Sequence, residues 1–196
     1  MTMRSLFLSF LALAGLPAYA QTQAGDDDGA WNEYTIMPSH YPADAPRFEA
    51  YPAKVYRGPN APVRWRADPE SRMFRTNLKE WGKAKSNFAG HYILAGWGCG
   101  TDCAQIAIID ARTGKVFHPD AAGTAVTVNV HDDFWRNDET PLRYRKDSRL
   151  LVLIGMPNED ASQRGISFYL WEPPKLRLIR RVPVGWYPDT PGQVQP

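Results

Sequence analysis

Residues 90–118 read GHYILAGWGCGTDCAQIAIIDARTGKVFH, and this stretch decides the fold. Two short apolar runs, Tyr92–Trp97 and Ile106–Ile109, are rich in β-branched and aromatic residues and are bounded by glycine or turn residues. This composition favours strands over a helix. Because the apolar character is nearly continuous, both faces of these strands are predicted to be buried.

The loop between the two runs contains both cysteines of the chain, Cys99 and Cys103. A hairpin that is symmetric about Thr101 places the two cysteines opposite each other, within reach of a disulfide bond. The same register pairs Tyr92 with Asp110. Extracellular and periplasmic compartments are oxidising, so a disulfide is the expected state of two cysteines in an exported protein.

A glycine-containing turn at 111–114 leads into a third strand from Lys115, which completes a three-stranded antiparallel meander. A similar order of strands and turns recurs over residues 150–179. Two such blade-like units cannot close a propeller, which needs about four blades. We therefore predict a mainly β fold with one α-helix, in which the two units form a two-sheet or partly curled structure.

One helix is predicted over residues 69–81. Asp68 can cap its start, Pro69 suits the first helical position, and Glu70 favours the positive end of the helix dipole. Three residues spaced for a single helix face form an apolar stripe that is predicted to contact the core: Phe74, Leu78 and Trp81.

The chain divides into five predicted segments. An apolar run and the small-residue pattern Ala-Tyr-Ala predict a signal peptide over residues 1–20, cleaved after Ala20. Residues 21–30 form a flexible linker, and residues 31–66 an extended segment rich in proline and aromatic residues. The β-rich domain with its helix covers residues 67–183, followed by an irregular tail, 184–196.

The signal peptide predicts a periplasmic or secreted protein. No later stretch is long and apolar enough for a membrane span. Cleavage lowers the count of Lys and Arg from 23 to 22, against 21 Asp and Glu. A net charge this close to zero gives no argument for binding nucleic acid. The expected partner is an envelope or extracellular protein, and the oligomeric state is left open.

Three motifs resemble a set found in small secreted bacterial proteins of unassigned function. They are NFAGHY, which ends at Tyr92, WGCGTDC, which ends at Cys103, and IIDARTGK, which ends at Lys115. The resemblance implies export and a related fold. It implies no activity, because no activity is assigned to those proteins.

The common catalytic motifs are absent from the sequence, which contains neither G-x-S-x-G nor H-E-x-x-H. Cys103 with His91 as base is a conceivable nucleophile, but a cysteine in a disulfide cannot attack. We assign no catalytic residue, no metal and no cofactor. His91 is expected to lie near Asp110, and an envelope hydrolase that uses this pair is the first catalytic alternative.

A second catalytic alternative is a metal-assisted enzyme. His118, Asp120 and His131 offer the nitrogen and oxygen ligands that zinc accepts, provided that the fold brings them together. Surface loops with histidine and aspartate are common, so these residues alone do not establish a metal site.

The favoured hypothesis is a secreted or periplasmic binding module, for example an inhibitor or an immunity-type partner of another envelope protein. The predicted contact surface is the hairpin tip, because a disulfide-constrained loop loses less entropy on binding. Its binding residues would be Trp97, Thr101 and Asp102. A structural envelope protein without a ligand is the remaining alternative.

Overall fold

The computed structural model describes residues 34–138 and 140–185. The predicted signal peptide, the linker at 21–30 and residues 186–196 of the tail lie outside the described residues. Within the described part of the chain, no helix has the length and apolar character needed to cross a membrane.

Eight strands and two short α-helices make up the regular structure of the described residues. The helices are α1 (Pro69–Met73) and α2 (Arg75–Trp81). The strands are β1 (Tyr92–Gly100), β2 (Cys103–Asp110), β3 (Val116–Phe117), β4 (Thr124–Val126), β5 (Leu142–Tyr144), β6 (Leu150–Pro157), β7 (Gly165–Glu172) and β8 (Lys175–Pro183). Four 3₁₀ turns lie at Pro38–His40, Phe48–Ala50, Asp132–Asp138 and Ala161–Gln163.

All eight strands belong to one antiparallel sheet. Its order is β1-β2-β4-β6-β7-β8, with β3 paired to β2 and β5 paired to β6. The predicted mainly β fold is confirmed, and both predicted meanders are present, as β1-β2-β3 and β6-β7-β8. Strand β4 joins the two halves by pairing with β2 on one side and β6 on the other.

The predicted register of the first hairpin holds over most of its length. Tyr92 pairs with Asp110, and the same register continues to the pair of Gly98 and Ala104. At the tip the register shifts by one residue, so that Gly100 and not Cys99 is paired with Cys103. The shift accompanies a tight two-residue turn in which Asp102 has the left-handed φ of 50°.

The disulfide between Cys99 and Cys103 is present although the two residues are not directly opposed. Their Cα atoms are 5.2 Å apart, within the usual range for bonded cysteines. The cross-link therefore closes a bulged turn rather than a regular one.

A shared apolar core shows that the sheet curls. Tyr92 of β1 and Trp171 of β7 have ring centroids only 5.3 Å apart. These strands are four positions apart in the sheet order, so a flat sheet would hold them about 19 Å apart. One face of each half therefore lines the same core, which includes Phe88, Leu94, Ile106, Ile108, Leu151, Leu153, Tyr169 and Leu176.

The opposite face of each half of the sheet packs against a different part of the chain. On the β1-β2 half, Ile93 and Ile109 pack with the fully buried Leu78 of α2. On the β6-β7 half, Val152 and Phe168 pack with the N-terminal segment, which contributes Ile36, Tyr41, Phe48 and Tyr51. Strand alternation explains the arrangement, because successive residues of one strand point to opposite faces.

The predicted helix begins as expected but is divided in two. The Asp68 carboxylate accepts a hydrogen bond from the Ser71 backbone N–H at 2.7 Å, which caps α1. Phe74 then leaves helical geometry, with φ −95° and ψ 21°. Its ring packs against Trp97, and the two ring centroids are 5.0 Å apart. The helix resumes at Arg75.

The proline-rich segment crosses both halves of the sheet as an extended chain. Its backbone N–H groups at Ala53 and Tyr56 donate to the carbonyls of Asp147 and Gly90. Further along, the N–H groups of Ala61 and Arg64 donate to the carbonyls of Ala111 and Gly114. These hydrogen bonds join backbone to backbone and add to the side-chain packing that holds the segment on the sheet.

The shared core predicts a large difference between two leucines of β8. Leu176 is 5% exposed and belongs to the core, whereas Leu178 is 41% exposed. We expect Leu176→Ala to lower the free energy of unfolding by about 2–5 kcal/mol and Leu178→Ala to change it by less than about 0.5 kcal/mol. Urea denaturation of both variants measures this, and equal losses would contradict the curled core.

Candidate functional site

A cavity of about 520 Å³ opens where the two halves of the sheet meet the extended segment. We call it the His91 pocket. Its polar lining is mainly basic and comes from separate parts of the chain: Lys54, His91, Arg112 and Arg149. Its apolar wall includes Tyr56, Tyr92 and Trp171.

Gly90 holds three chain segments together beside this pocket. Its N–H donates to the Lys146 carbonyl at 2.6 Å, and its own carbonyl accepts from the Tyr56 N–H at 2.9 Å. Its φ is +85°, and a Cβ at this position would lie 2.4 Å from the Lys54 carbonyl oxygen. Only glycine combines this conformation with so close an approach of another backbone.

The turn before β1 directs His91 into the pocket. Asn87 fixes this turn, because its side chain accepts from the Leu94 N–H at 2.7 Å and donates to the Leu94 carbonyl at 3.1 Å. Phe88 next to it is fully buried in the shared core. The His91 carbonyl accepts from the Ala111 N–H, which extends the β1–β2 ladder by one hydrogen bond.

The imidazole of His91 lies close to the Asp110 carboxylate, as predicted. Nε2 of His91 is 3.8 Å from Oδ1 of Asp110, beyond hydrogen-bond length. This nitrogen is buried and has no hydrogen-bond partner among the described residues. The carboxylate instead accepts from the backbone N–H of Arg112 at 2.8 Å.

The surroundings keep His91 neutral. Burial lowers the pKa of His91, and the nearby Arg112 charge lowers it further, whereas the Asp110 carboxylate acts in the opposite direction. At neutral pH the ring therefore offers one N–H donor and one nitrogen acceptor.

Arg112, one of the other cations of the pocket, has its Nε 3.9 Å from Oδ1 of Asp110 and is partly neutralised by this carboxylate. Within the part of the chain that the structure describes, neither Lys54 nor Arg149 lies within 4.0 Å of a carboxylate. The nearby Glu172 is already engaged, since it accepts two hydrogen bonds from Arg177 at 2.8 and 2.9 Å. The pocket therefore carries excess positive charge next to an apolar wall.

The residues predicted to bind at the hairpin tip do not form one surface. Trp97 packs on the helix side of the sheet against Phe74. Asp102 instead lines a separate groove of about 410 Å³ with Cys103 and Trp135, and Thr101 is exposed at the turn. The alternation of side chains along β1 is the signal that places Trp97 with Ile93 and Ala95 on the helix-covered face.

The candidate zinc ligands are engaged separately. Nδ1 of His118 lies 3.2 Å from Oε1 of Glu70, whereas Nδ1 of His131 lies 3.6 Å from Oδ2 of Asp133. Among the residues that the structure describes, no three His, Cys, Asp or Glu side chains are grouped to hold a metal ion. Asp120 contributes its backbone carbonyl to Asn158.

His118 also contacts a serine that the sequence analysis did not select. Oγ of Ser71 lies 3.0 Å from Nε2 of His118, and Glu70 stands on the other side of the ring. The arrangement has the order of a serine, histidine and acid triad. Ser71 is fully buried, however, and it lines neither the His91 pocket nor the groove beside Asp102. We regard this cluster as structural.

Sequence reasoning selected His91 but missed the basic residues around it. Lys54, Arg112 and Arg149 are far apart in the chain, and none belongs to a motif associated with binding. Comparisons with protein-family models, curated proteins and solved structures give no match. The role of the pocket is therefore argued from its geometry and charge.

The environment of His91 predicts a pKa below its ordinary value of about 6.5. We expect Arg112→Gln to raise this pKa by removing a like charge, and Asp110→Asn to lower it by removing the opposite charge. NMR titration of the His91 ring protons measures this pKa in the unmodified protein and in both variants. Shifts in the same direction for both variants would contradict this electrostatic account.

The lowered pKa also sets the sign of a stability effect. As the pH falls below about 6.5, the unfolded chain takes up the His91 proton before the folded chain does, so folding stability decreases. His91→Gln should therefore reduce the loss of stability on acidification, as measured by urea denaturation across this range of pH.

Proposed function

We propose that the protein is an exported binding module and that the His91 pocket binds the anionic group of its ligand. The observation that carries the proposal is that Lys54, Arg112 and Arg149 line one cavity, which His91 also lines. Clefts lined by one sign of charge with apolar walls concentrate ligands of the opposite charge.

The chemistry of the pocket favours a phosphate or a carboxylate. Arginine presents planar, paired donors to such groups, and lysine adds a compact positive charge. A neutral His91 can donate one hydrogen bond to the anion. Binding of the anion would then stabilise the charged imidazolium and raise the pKa of His91.

The apolar wall favours a ligand with an uncharged body as well as an anionic group. The Tyr56 ring is half-buried, and Tyr92 and Trp171 are buried in the shared core beneath the cavity. Small-molecule sites typically combine such a wall with a few convergent polar groups.

Export is part of the proposal. The leader pattern of residues 1–20 predicts it, and a disulfide between Cys99 and Cys103 is consistent with an oxidising compartment. An acidic side chain or chain terminus of an envelope protein carries the same kind of anionic group. An inhibitor or immunity-type role is therefore one form of this proposal.

Phenyl phosphate, which joins an apolar ring to an anion, is a direct probe of the pocket. We expect it to bind, to raise the pKa of His91, and to bind more weakly as salt is added. Benzyl alcohol should not compete. Arg149→Gln should weaken binding about tenfold to hundredfold, the worth of a hydrogen bond to a charged group. Isothermal calorimetry and NMR measure these effects.

Arg136→Gln provides the matched control, because Arg136 is exposed, is paired with Asp133 at 2.8 Å and does not line the His91 pocket. This variant should bind phenyl phosphate as the unmodified protein does. Equal affinity of the Arg149→Gln variant and the unmodified protein would count against the pocket as the anion site.

Acid–base catalysis at His91 is a second candidate, favoured by the neutral imidazole beside Asp110 within an open cavity. A neutral histidine can remove a proton from an attacking group. The described lining of the pocket includes no serine, threonine or cysteine. The attacking group would therefore be water, which would transfer a proton to His91 while its oxygen bonds to the phosphorus of a phosphate ester and the bond from phosphorus to the leaving oxygen breaks.

Release of inorganic phosphate from phenyl phosphate distinguishes catalysis from binding. If His91 is a general base, His91→Gln should lower turnover by about a hundredfold or more while changing affinity far less. Binding of phenyl phosphate without phosphate release would reject hydrolysis of this ester and leave the binding proposal in place.

A further inference from the structure

A second basic cavity adjoins the His91 pocket. It has a volume of about 460 Å³ and is lined by Arg57, Lys85 and Lys146. We call it the Lys85 pocket. The two pockets share Val55 and Tyr56, so that these residues form the wall between them.

The cations of the Lys85 pocket form no close ion pairs with described residues, although the charge of Lys146 adds to the lowering of the Asp147 pKa that the Arg145 hydrogen bonds cause. Among the described residues, no carboxylate lies within 4.0 Å of the charged groups of Arg57, Lys85 or Lys146. The acid next to Lys146 in sequence is Asp147, whose two oxygens accept hydrogen bonds from Arg145 at 3.0 and 2.9 Å. These hydrogen bonds lower the pKa of Asp147 and keep it charged, but they direct it to Arg145.

The wall between the pockets is held in place at both ends. The Tyr56 N–H donates to Gly90, and the Tyr56 hydroxyl donates to the Pro59 carbonyl at 3.1 Å. The following loop is fixed by Asn60, whose amide donates to the carbonyls of Gly82 at 2.8 Å and Ala84 at 2.7 Å. A site formed in advance in this way loses less entropy when a ligand binds.

We propose that the two pockets form one composite site for a ligand with two anionic groups. One group occupies the His91 pocket, the other occupies the Lys85 pocket, and the connecting part of the ligand passes over Tyr56. This inference rests on the proposed function, because it takes the His91 pocket as the primary anion site. It adds the class of ligand, namely a bisphosphate, a dicarboxylate or a mixed diacid.

Charge and geometry favour one composite site over two independent sites. The cations without a carboxylate within 4.0 Å repel one another across the shared wall, and two anions relieve that repulsion more fully than one. Once the first anionic group is bound, the second reaches its pocket at a high effective concentration, provided that the spacer is long enough. The gain in affinity should therefore depend on spacer length.

Alkanediol bisphosphates with propane, hexane and nonane spacers test the proposal against alkyl monophosphates of the same lengths. We expect the monophosphates to bind and the best-matched bisphosphate to bind at least about tenfold tighter. The double variant Lys85→Gln/Lys146→Gln should remove that gain and leave monophosphate binding nearly unchanged. Arg149→Gln should weaken both kinds of probe.

Lys83→Gln is the control, because Lys83 is close in sequence but is paired with Glu80 at 2.6 Å. It should leave the affinity for every probe unchanged. If monophosphates bind but no bisphosphate binds more tightly, the composite site is wrong and the proposed function stands. If Lys83→Gln weakens bisphosphate binding as much as the double variant does, the gain is unspecific and the composite site is again wrong. If neither kind of probe binds, both proposals fail.

Discussion

The packing of Tyr92 against Trp171 is the contact on which the rest of the molecule depends. It joins strands that a flat sheet would hold far apart, and so it requires the sheet to curl around one core. The curl brings the turn after β2, which carries Arg112, next to Arg149, the residue that precedes β6. The extended segment then crosses this junction and adds Lys54. The His91 pocket is thus a consequence of how the two halves of the sheet pack.

Local pattern was sufficient to predict most of the regular structure. The short apolar runs bounded by turns identified both meanders, and symmetry about Thr101 gave the pairing of Tyr92 with Asp110. The same reasoning failed at the hairpin tip, because a tight two-residue turn displaces the partner of Cys103 by one residue. It also gave one continuous helix, since neither spacing nor capping indicates that Phe74 turns aside to contact Trp97.

The candidate site was predictable only in part, because it is built from long-range contacts. The approach of His91 to Asp110 followed from register, which is local information. Arg112 follows Asp110 in the same turn, but Lys54 and Arg149 come from two other regions, and their positions depend on the curl and on backbone contacts at Gly90. The net charge of the chain gives no sign of these cations, because acids elsewhere in the chain balance them in the total. In the structure, nearby acids such as Glu172 and Asp147 are paired with other arginines.

The disulfide encloses very little of the chain. It joins residues separated by only four positions, at the end of a hairpin whose ladder already holds the two strands together. The chain-entropy relation assigns so short a loop about 2 kcal/mol, and neither cysteine is a member of the shared core. Reduction should therefore loosen the rim of the groove beside Asp102 and leave the architecture unchanged. Because the fold does not depend on the disulfide bond, the protein should be able to fold before it meets an oxidant.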